Sequence, residues 1–265
     1  MGVDIFQVDA FTAVSFQGNP AAVCLLSSPW TSRKMQDMAR EMNLSETAFV
    51  CRQEDGFSLR WFTPLTEVSL CGHATLASAH VLYETGRMDR KEPIHFHTLS
   101  GPLTAICTAD WIHVDLPAEV PYPCKLPEQL AESLGIVRMV YAGRNRLDYL
   151  IAVDSAEQVR NLRPDFSRLA EAIPASGVIV TSLSDQTEYD YVCRYFDPGE
   201  GLDEDPVTGS AHCCLGPYWG KLLRKETLTA GQLSARGGLL HVSTVGDRVV
   251  LSGQAATILR GEMVV

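Results

Sequence analysis

The chain has 265 residues, 46% of them hydrophobic and 20% charged, which is enough apolar material for a sizeable core in one to two domains. A formal net charge of −10 excludes nucleic-acid and anionic-membrane partners, because both call for clustered Lys and Arg. A small anionic ligand is still allowed, since helix N-termini supply local positive potential.

The first ten residues contain no basic segment followed by a continuous apolar core, so they do not form a secretory signal. No stretch approaches transmembrane length. The eight cysteines are scattered without a Cys-x-x-Cys pair, and Cys213 and Cys214 are adjacent. They read as free thiols of a reducing compartment, which predicts a cytoplasmic protein.

In chain order, Ile5 to Val8 predicts a strand, Gly18-Asn19-Pro20 a turn, and Ala21 to Leu26 a buried strand. Thr31 is placed to cap a helix whose apolar positions are Met35, Met38, Ala39 and Met42. Asn43 to Val50 reads as a turn entering a strand, and Phe57 to Phe62 as an alternating strand. Ala74 to Thr85 predicts a helix stopped by Gly86. It is small or apolar all round, so it should be buried on every side. Pro117, Pro121, Pro123 and Pro127 mark a linker. Beyond it come a strand at Asp148–Val153, a helix from Pro164, strands at 176–180 and 191–196, and a helix over 210–223. Gly216-Pro217 should kink or shorten that last helix. The final strands, around 248–251 and 257–265, either close the second domain or cross back to the first.

Two phrases recur. Arg60-Trp-Phe-Thr-Pro64 is echoed by Arg194-Tyr-Phe-Asp-Pro198. Shortly after each, a glycine opens a helical run, Gly72 in the first and Gly209 in the second. The repeat predicts an α+β fold of two similar domains, 1–116 and 117–265, each a curved mixed sheet or barrel wrapped around a central helix. Each half should present one helix N-terminus to a shared cleft. A single such glycine is ordinary turn chemistry. Its recurrence points to backbone N–H groups that bind an anion.

His73 and Ser210 follow the two glycines, where each could offer a side chain and an N–H to a carboxylate. A helix N-terminus should depress the His73 pKa. Glu46, at the entrance of an apolar strand, has the setting of a general acid or base with a raised pKa, although an exposed strand end is the plainer alternative. Its counterpart in the second half falls near Gly177, so the acid is not duplicated. Asp205 stands among crowded carboxylates that should raise one another's pKa, while Asp203 and Glu204 read as solvated turn acids. Cys71 could be a reactive helix-start thiol, but Thr208 holds the matching place, which favours a buried structural cysteine. His95-x-His97 lacks a third ligand, so no metal is predicted. No phosphate loop, dinucleotide fingerprint or serine elbow occurs, so no cofactor is predicted.

Taken together, several phrases resemble the PhzF-like (phenazine biosynthesis-like) isomerases. They are Val8-Asp-Ala-Phe-Thr12, Gly18-Asn-Pro-Ala-Ala-Val23, Asn43-Leu-Ser-Glu-Thr-Ala-Phe49, Phe62-Thr-Pro64, Leu70-Cys-Gly-His-Ala-Thr-Leu76, Glu204-Asp-Pro-Val-Thr-Gly-Ser-Ala211 and Gln232-Leu-Ser-Ala-Arg-Gly-Gly238. The resemblance implies the pseudo-twofold fold shared with diaminopimelate epimerase and proline racemase, a site between the domains, and a homodimer. It implies Glu46 as the residue that moves a proton, with His73, Asp205 and Ser210 as further polar site residues. Gly72 and Gly209 match at the helix starts and Asn19 in the Gly-Asn-Pro turn. The related epimerases use two cysteines, of which this chain has only Cys71. The leading expectation is therefore a cofactor-independent isomerase acting on a small carboxylate-bearing metabolite. A Cys71-dependent racemase or epimerase, and a non-catalytic interaction protein on the same scaffold, are the alternatives.

Overall fold

The structure, a computed structural model, describes residues 2–264. The chain divides into two compact units: one runs to Leu116 and resumes at Val250, and the other is Pro117–Val249. The segment from Val250 onward thus belongs with the N-terminal half.

In the first unit, strand Val3–Ala10 pairs antiparallel with Asn19–Leu26, which runs parallel to Glu46–Gln53. Glu46–Gln53 pairs antiparallel with Gly56–Phe62, which runs parallel to Ile94–Thr98 and on to antiparallel Gly101–Thr108. Strand Ala255–Met263 pairs along the other edge of Val3–Ala10, with a bulge between Gln7 and Val8. Asn19–Leu26 is buried nearly throughout, as a strand covered on both faces must be. Helix Ser32–Met42 covers one face; its Met35, Met38 and Ala39 pack with Cys24, Phe49 and Phe62. Thr31 caps that helix by accepting from the Lys34 N–H at 3.3 Å. Helix Gly72–Glu84 lies against strands Val3–Ala10, Asn19–Leu26 and Glu46–Gln53, and only His80 and Glu84 escape full burial. The turn into Asn19 requires glycine at 18: its φ is +66°, and a Cβ there would lie 2.2 Å from the Ala10 carbonyl oxygen.

The second unit repeats this order of orientations. Met139–Arg144 pairs antiparallel with Tyr149–Val153, which runs parallel to Val178–Leu183. That strand pairs antiparallel with Tyr191–Asp197, which runs parallel to Thr227–Gln232 and on to antiparallel Gly238–Val245. One face is covered by two short helices. The sequence suggests only the helix after Pro164; it is Phe166–Ala172, capped by Asp165, and Ala156–Arg160, capped by Ser155, precedes it. Their Ala156, Val159 and Leu169 pack with Ile151, Val178, Val192 and Phe196.

Helix Gly209–Leu223 runs on through Gly216-Pro217, against the expected kink or shortening. Proline cannot donate to the carbonyl four residues back, here that of Cys213. The Cys213 oxygen instead accepts from the Glu119 N–H at 3.0 Å, so no buried acceptor is orphaned. Gly216 adds room, since a Cβ there would stand 2.8 Å from Val242.

The repeated Arg and Glu form one device used twice. Arg60 donates from Nε and NH2 to both carboxylate oxygens of Glu67, at 2.6 and 2.7 Å. Arg194 does the same to Glu204, at 2.7 and 2.8 Å. Each glutamate lies five residues ahead of its helix glycine, so each clamp ties the run leading into the helix back onto the sheet. Glu204 is therefore not the solvated turn acid the sequence suggests, while Asp203 is exposed.

Candidate active site

Glu46 opens its strand directly opposite Ala21 on the parallel neighbour. The same neighbour begins at Asn19, which is buried. The two strands bring Asn19 and Glu46 to the mouth of the Gly72 helix, where Cys71 is the N-cap and does not cap with its side chain. Gly72 is the first helical residue and His73 the second.

His73 is the hub. Its Nε2 lies 3.2 Å from Glu46 Oε2. Its Nδ1 lies 3.2 Å from Asn19 Nδ2 and 3.5 Å from Cys71 Sγ. Asn19 Oδ1 accepts from the Ser45 hydroxyl at 3.2 Å, which turns the amide nitrogen toward the imidazole. With the amide nitrogen on the Nδ1 side, Nε2 is the ring nitrogen that faces the glutamate. His73 is buried, whereas the Glu46 side chain keeps 18% of its surface accessible to solvent. Glu46 is thus neither the exposed strand end of the plainer reading nor sealed away.

The helix start does not dominate the His73 pKa. Burial pushes it down, but Cys71 and Glu46 outweigh that, and the pKa is raised well above the usual imidazole value. Burial first, then the Glu46 carboxylate, raise the Cys71 pKa, while the facing His73 lowers it. The facing glutamate is thus one of the groups that favour a proton on the imidazole. The expected depression of His73 is corrected by this neighbour, which the sequence leaves 27 positions away.

Among the described residues, Glu46, Cys71 and His73 are a group whose potential ligand atoms lie within 4.8 Å of one another. The imidazole, however, turns opposite nitrogens to thiol and carboxylate. Opposite nitrogens of one imidazole do not converge on one cation. His95 and His97 are engaged elsewhere, with Thr104 and Asp55.

In the second unit the helix start is built from different residues. Gly209 is the first helical position and half-buried Ser210 the second. Thr208, in the place of Cys71, donates its hydroxyl to Asp205 Oδ2 at 2.5 Å. Gln232 closes the ring: its Oε1 accepts from the Thr208 N–H at 2.9 Å, and its Nε2 donates to the Asp205 carbonyl at 2.9 Å and the Thr208 hydroxyl at 3.1 Å. Asp205 is thereby fixed in a buried setting. In the sequence, Gln232 is only one residue of a longer phrase and Ser45 carries no role. Ser45 stands just ahead of an apolar strand and Gln232 at the end of one, and a polar residue at such a strand end is the signal that could have found them.

A model of the family described as phenazine biosynthesis-like protein matches residues 8–261. The chain belongs to this family. It is 53% identical, over 99% of each chain, to an uncharacterised isomerase of Halalkalibacterium halodurans, and 46% identical to one of Pseudomonas aeruginosa, again over 99% of each. A phenazine biosynthesis-like family crystal structure from Enterococcus faecalis superimposes with a TM-score of 0.93 at 39% identity, covering all of both chains. A probable proline racemase from Agrobacterium radiobacter, at 10% identity and a TM-score of 0.69, shares the fold alone. The two-domain mixed-sheet fold is therefore that of these isomerases and racemases, and the chain is an isomerase. No helix among the described residues is long and apolar enough to cross a membrane.

Proposed function

We propose that this phenazine biosynthesis-like family member is a cofactor-independent isomerase that moves a proton within a small carboxylate-bearing metabolite, with Glu46 as general acid and base. The observation that carries the proposal is the ion pair between partly accessible Glu46 and buried His73 at the mouth of the Gly72 helix. As a carboxylate, Glu46 can take a proton from carbon; as a carboxylic acid it can return it elsewhere on the same molecule. The His73 Nε2–H would hold the carboxylate in place and offset its charge. The backbone N–H groups of the helix start would stabilise negative charge that develops on the substrate carboxylate as the C–H bond breaks.

Asp205, Ser210 and the Gly209 amide are included in the proposal as further polar site groups, at the helix start of the second unit. The negative balance of the chain does not oppose an anionic substrate, because both helix starts present donors. A homodimer acting in the cytoplasm is part of the same proposal, and light scattering of the purified protein tests the dimer.

The alternative of a Cys71-dependent racemase draws on the thiol lying 3.5 Å from His73 Nδ1. The raised thiol pKa and the threonine at 208 weigh against it. The deciding experiment incubates the protein with a pool of small carboxylic acids in deuterated water and looks for mass gain. Loss of that gain in Glu46→Gln, with retention in Cys71→Ala, supports the glutamate mechanism; the reverse pattern establishes the thiol.

A further inference from the structure

Strand register makes the two units comparable position by position. Thr47 pairs with Phe62 in the first and Val178 with Phe196 in the second, so Glu46 corresponds to Gly177. On the same alignment Trp61 corresponds to Tyr195 and Thr63 to Asp197. The parallel pairings of Ala22 with Thr47 and Tyr149 with Val178 make Ala21 correspond to Asp148. The second unit thus lacks the glutamate but gains two carboxyl groups and a phenol at the three positions around it.

These three groups touch. The Tyr195 hydroxyl lies 2.8 Å from Asp148 Oδ1 and 3.4 Å from Asp197 Oδ2. The phenol fills the space that a side chain at 177 would enter: a Cβ there would be 2.1 Å from the hydroxyl and 2.8 Å from Asp148 Oδ1. Asp148 and Tyr195 are buried and Asp197 is half-buried. Asp148 Oδ2 and Asp197 Oδ1 are both buried without a hydrogen-bond partner.

Proton counting decides what this cluster is. Two ionised carboxylates are acceptors only, and a phenol has one proton to give. Tyr195 gives that proton to Asp148 at the shorter contact. The contact to Asp197 then joins two acceptors unless Asp197 carries a proton and donates it to the phenol oxygen. The surroundings favour that proton. Glu119 faces Asp148; Glu200 and Asp205 face Asp197, and the two aspartates face each other. The other groups about Asp148 are neutral: the Asn145 side chain, the Gly177 N–H and the Cys214 thiol.

We propose that Asp148 and Asp197 share one proton across the Tyr195 hydroxyl, so that the second unit holds a transferable proton at the place where the first unit holds Glu46. Transfer is balanced: Asp197 O–H gives its proton to the Tyr195 oxygen while Tyr195 O–H gives its own to Asp148, leaving an Asp197 carboxylate, an intact phenol and an Asp148 carboxylic acid. In an isomerase this trio is a second proton-holding group, and that use rests on the functional reading above. Burial, with the facing acids, raises Asp148 to about 6 and Asp197 to about 7, which puts the proton within reach near neutral pH.

The test is a pH titration of the whole protein labelled with 13C at the aspartate carboxyl carbons and followed by NMR, which needs no substrate. One carboxyl signal should stay protonated at about pH 6.5, well above the ordinary aspartate value of about 4. It should vanish in Asp197→Asn or Asp148→Asn, and Tyr195→Phe, which keeps the ring and removes the bridge, should shift its midpoint. Every aspartate ionised at that pH, or a midpoint unmoved by Tyr195→Phe, overturns the shared proton. If the carboxyl variants misfold, the phenylalanine variant alone decides. A positive titration beside a turnover-competent Glu46→Gln would sink the glutamate mechanism and leave the shared proton standing.

Discussion

Glu46 Oε2 and His73 Nε2 meet at 3.2 Å, one from the first residue of a strand and the other from the second residue of a helix. Neither residue is placed by local sequence alone; the parallel pairing of Asn19–Leu26 with Glu46–Gln53 brings the glutamate to the helix mouth.

Glu46→Gln keeps the shape and removes the acid/base function. Turnover should fall by about 100-fold or more, as for loss of a general acid/base, with far-ultraviolet circular dichroism unchanged. Activity within a factor of about two of the parent would assign the proton to another group.

Asn19→Leu and Ser45→Ala test how the imidazole is oriented. Removing the amide leaves Nδ1 with Cys71 alone, so the pH profile of turnover should shift while the fold persists. An unmoved profile would mean that Glu46 fixes the ring without help.

The second helix start should depend on its ring of hydrogen bonds. Gln232→Leu strands the buried Thr208 N–H, at a cost of about 1–3 kcal/mol. Thermal unfolding should report a lower midpoint than for the parent; an unchanged midpoint would mean that the ring does not hold this helix start.

Stability should decline as pH rises from acid toward neutral. Asp148 and Asp197 are raised to about 6 and about 7 in the folded chain, above an ordinary 3.8, so the folded state binds more protons between those values. Their contribution is complete below the unfolded value and is lost as pH climbs through 6 and 7. Asp197→Asn should flatten the slope of the melting temperature across that window; an unchanged slope would assign the effect to other groups.

Much of the fold could be read because the chain states it twice. The Arg-x-Phe-x-Pro phrases and the helix glycines gave the repeat, and Thr31, Met35 and Met38 gave the first helix its cap and buried face. Glu46 and His73 were legible as site residues one at a time. Their contact was not, because it depends on strand register between residues far apart in sequence. For the same reason the Arg60–Glu67 and Arg194–Glu204 clamps are not legible, although Arg60, Arg194 and Glu204 lie in the quoted phrases. Pro217 misled because propensity cannot foresee that the Glu119 N–H will take over the abandoned carbonyl. The Ala156–Arg160 helix was missed because five residues carry too little periodicity to register.

Strand Ala255–Met263 completes the sheet of the first unit by pairing with Val3–Ala10. During synthesis the opening strand must therefore wait for nearly all the remaining chain before its outer edge is covered, while the whole of Pro117–Val249 has already left the ribosome. The half made first is the half finished last. Its exposed edge in the interim is where a nascent chain of this kind is most open to mispairing and most in need of a chaperone.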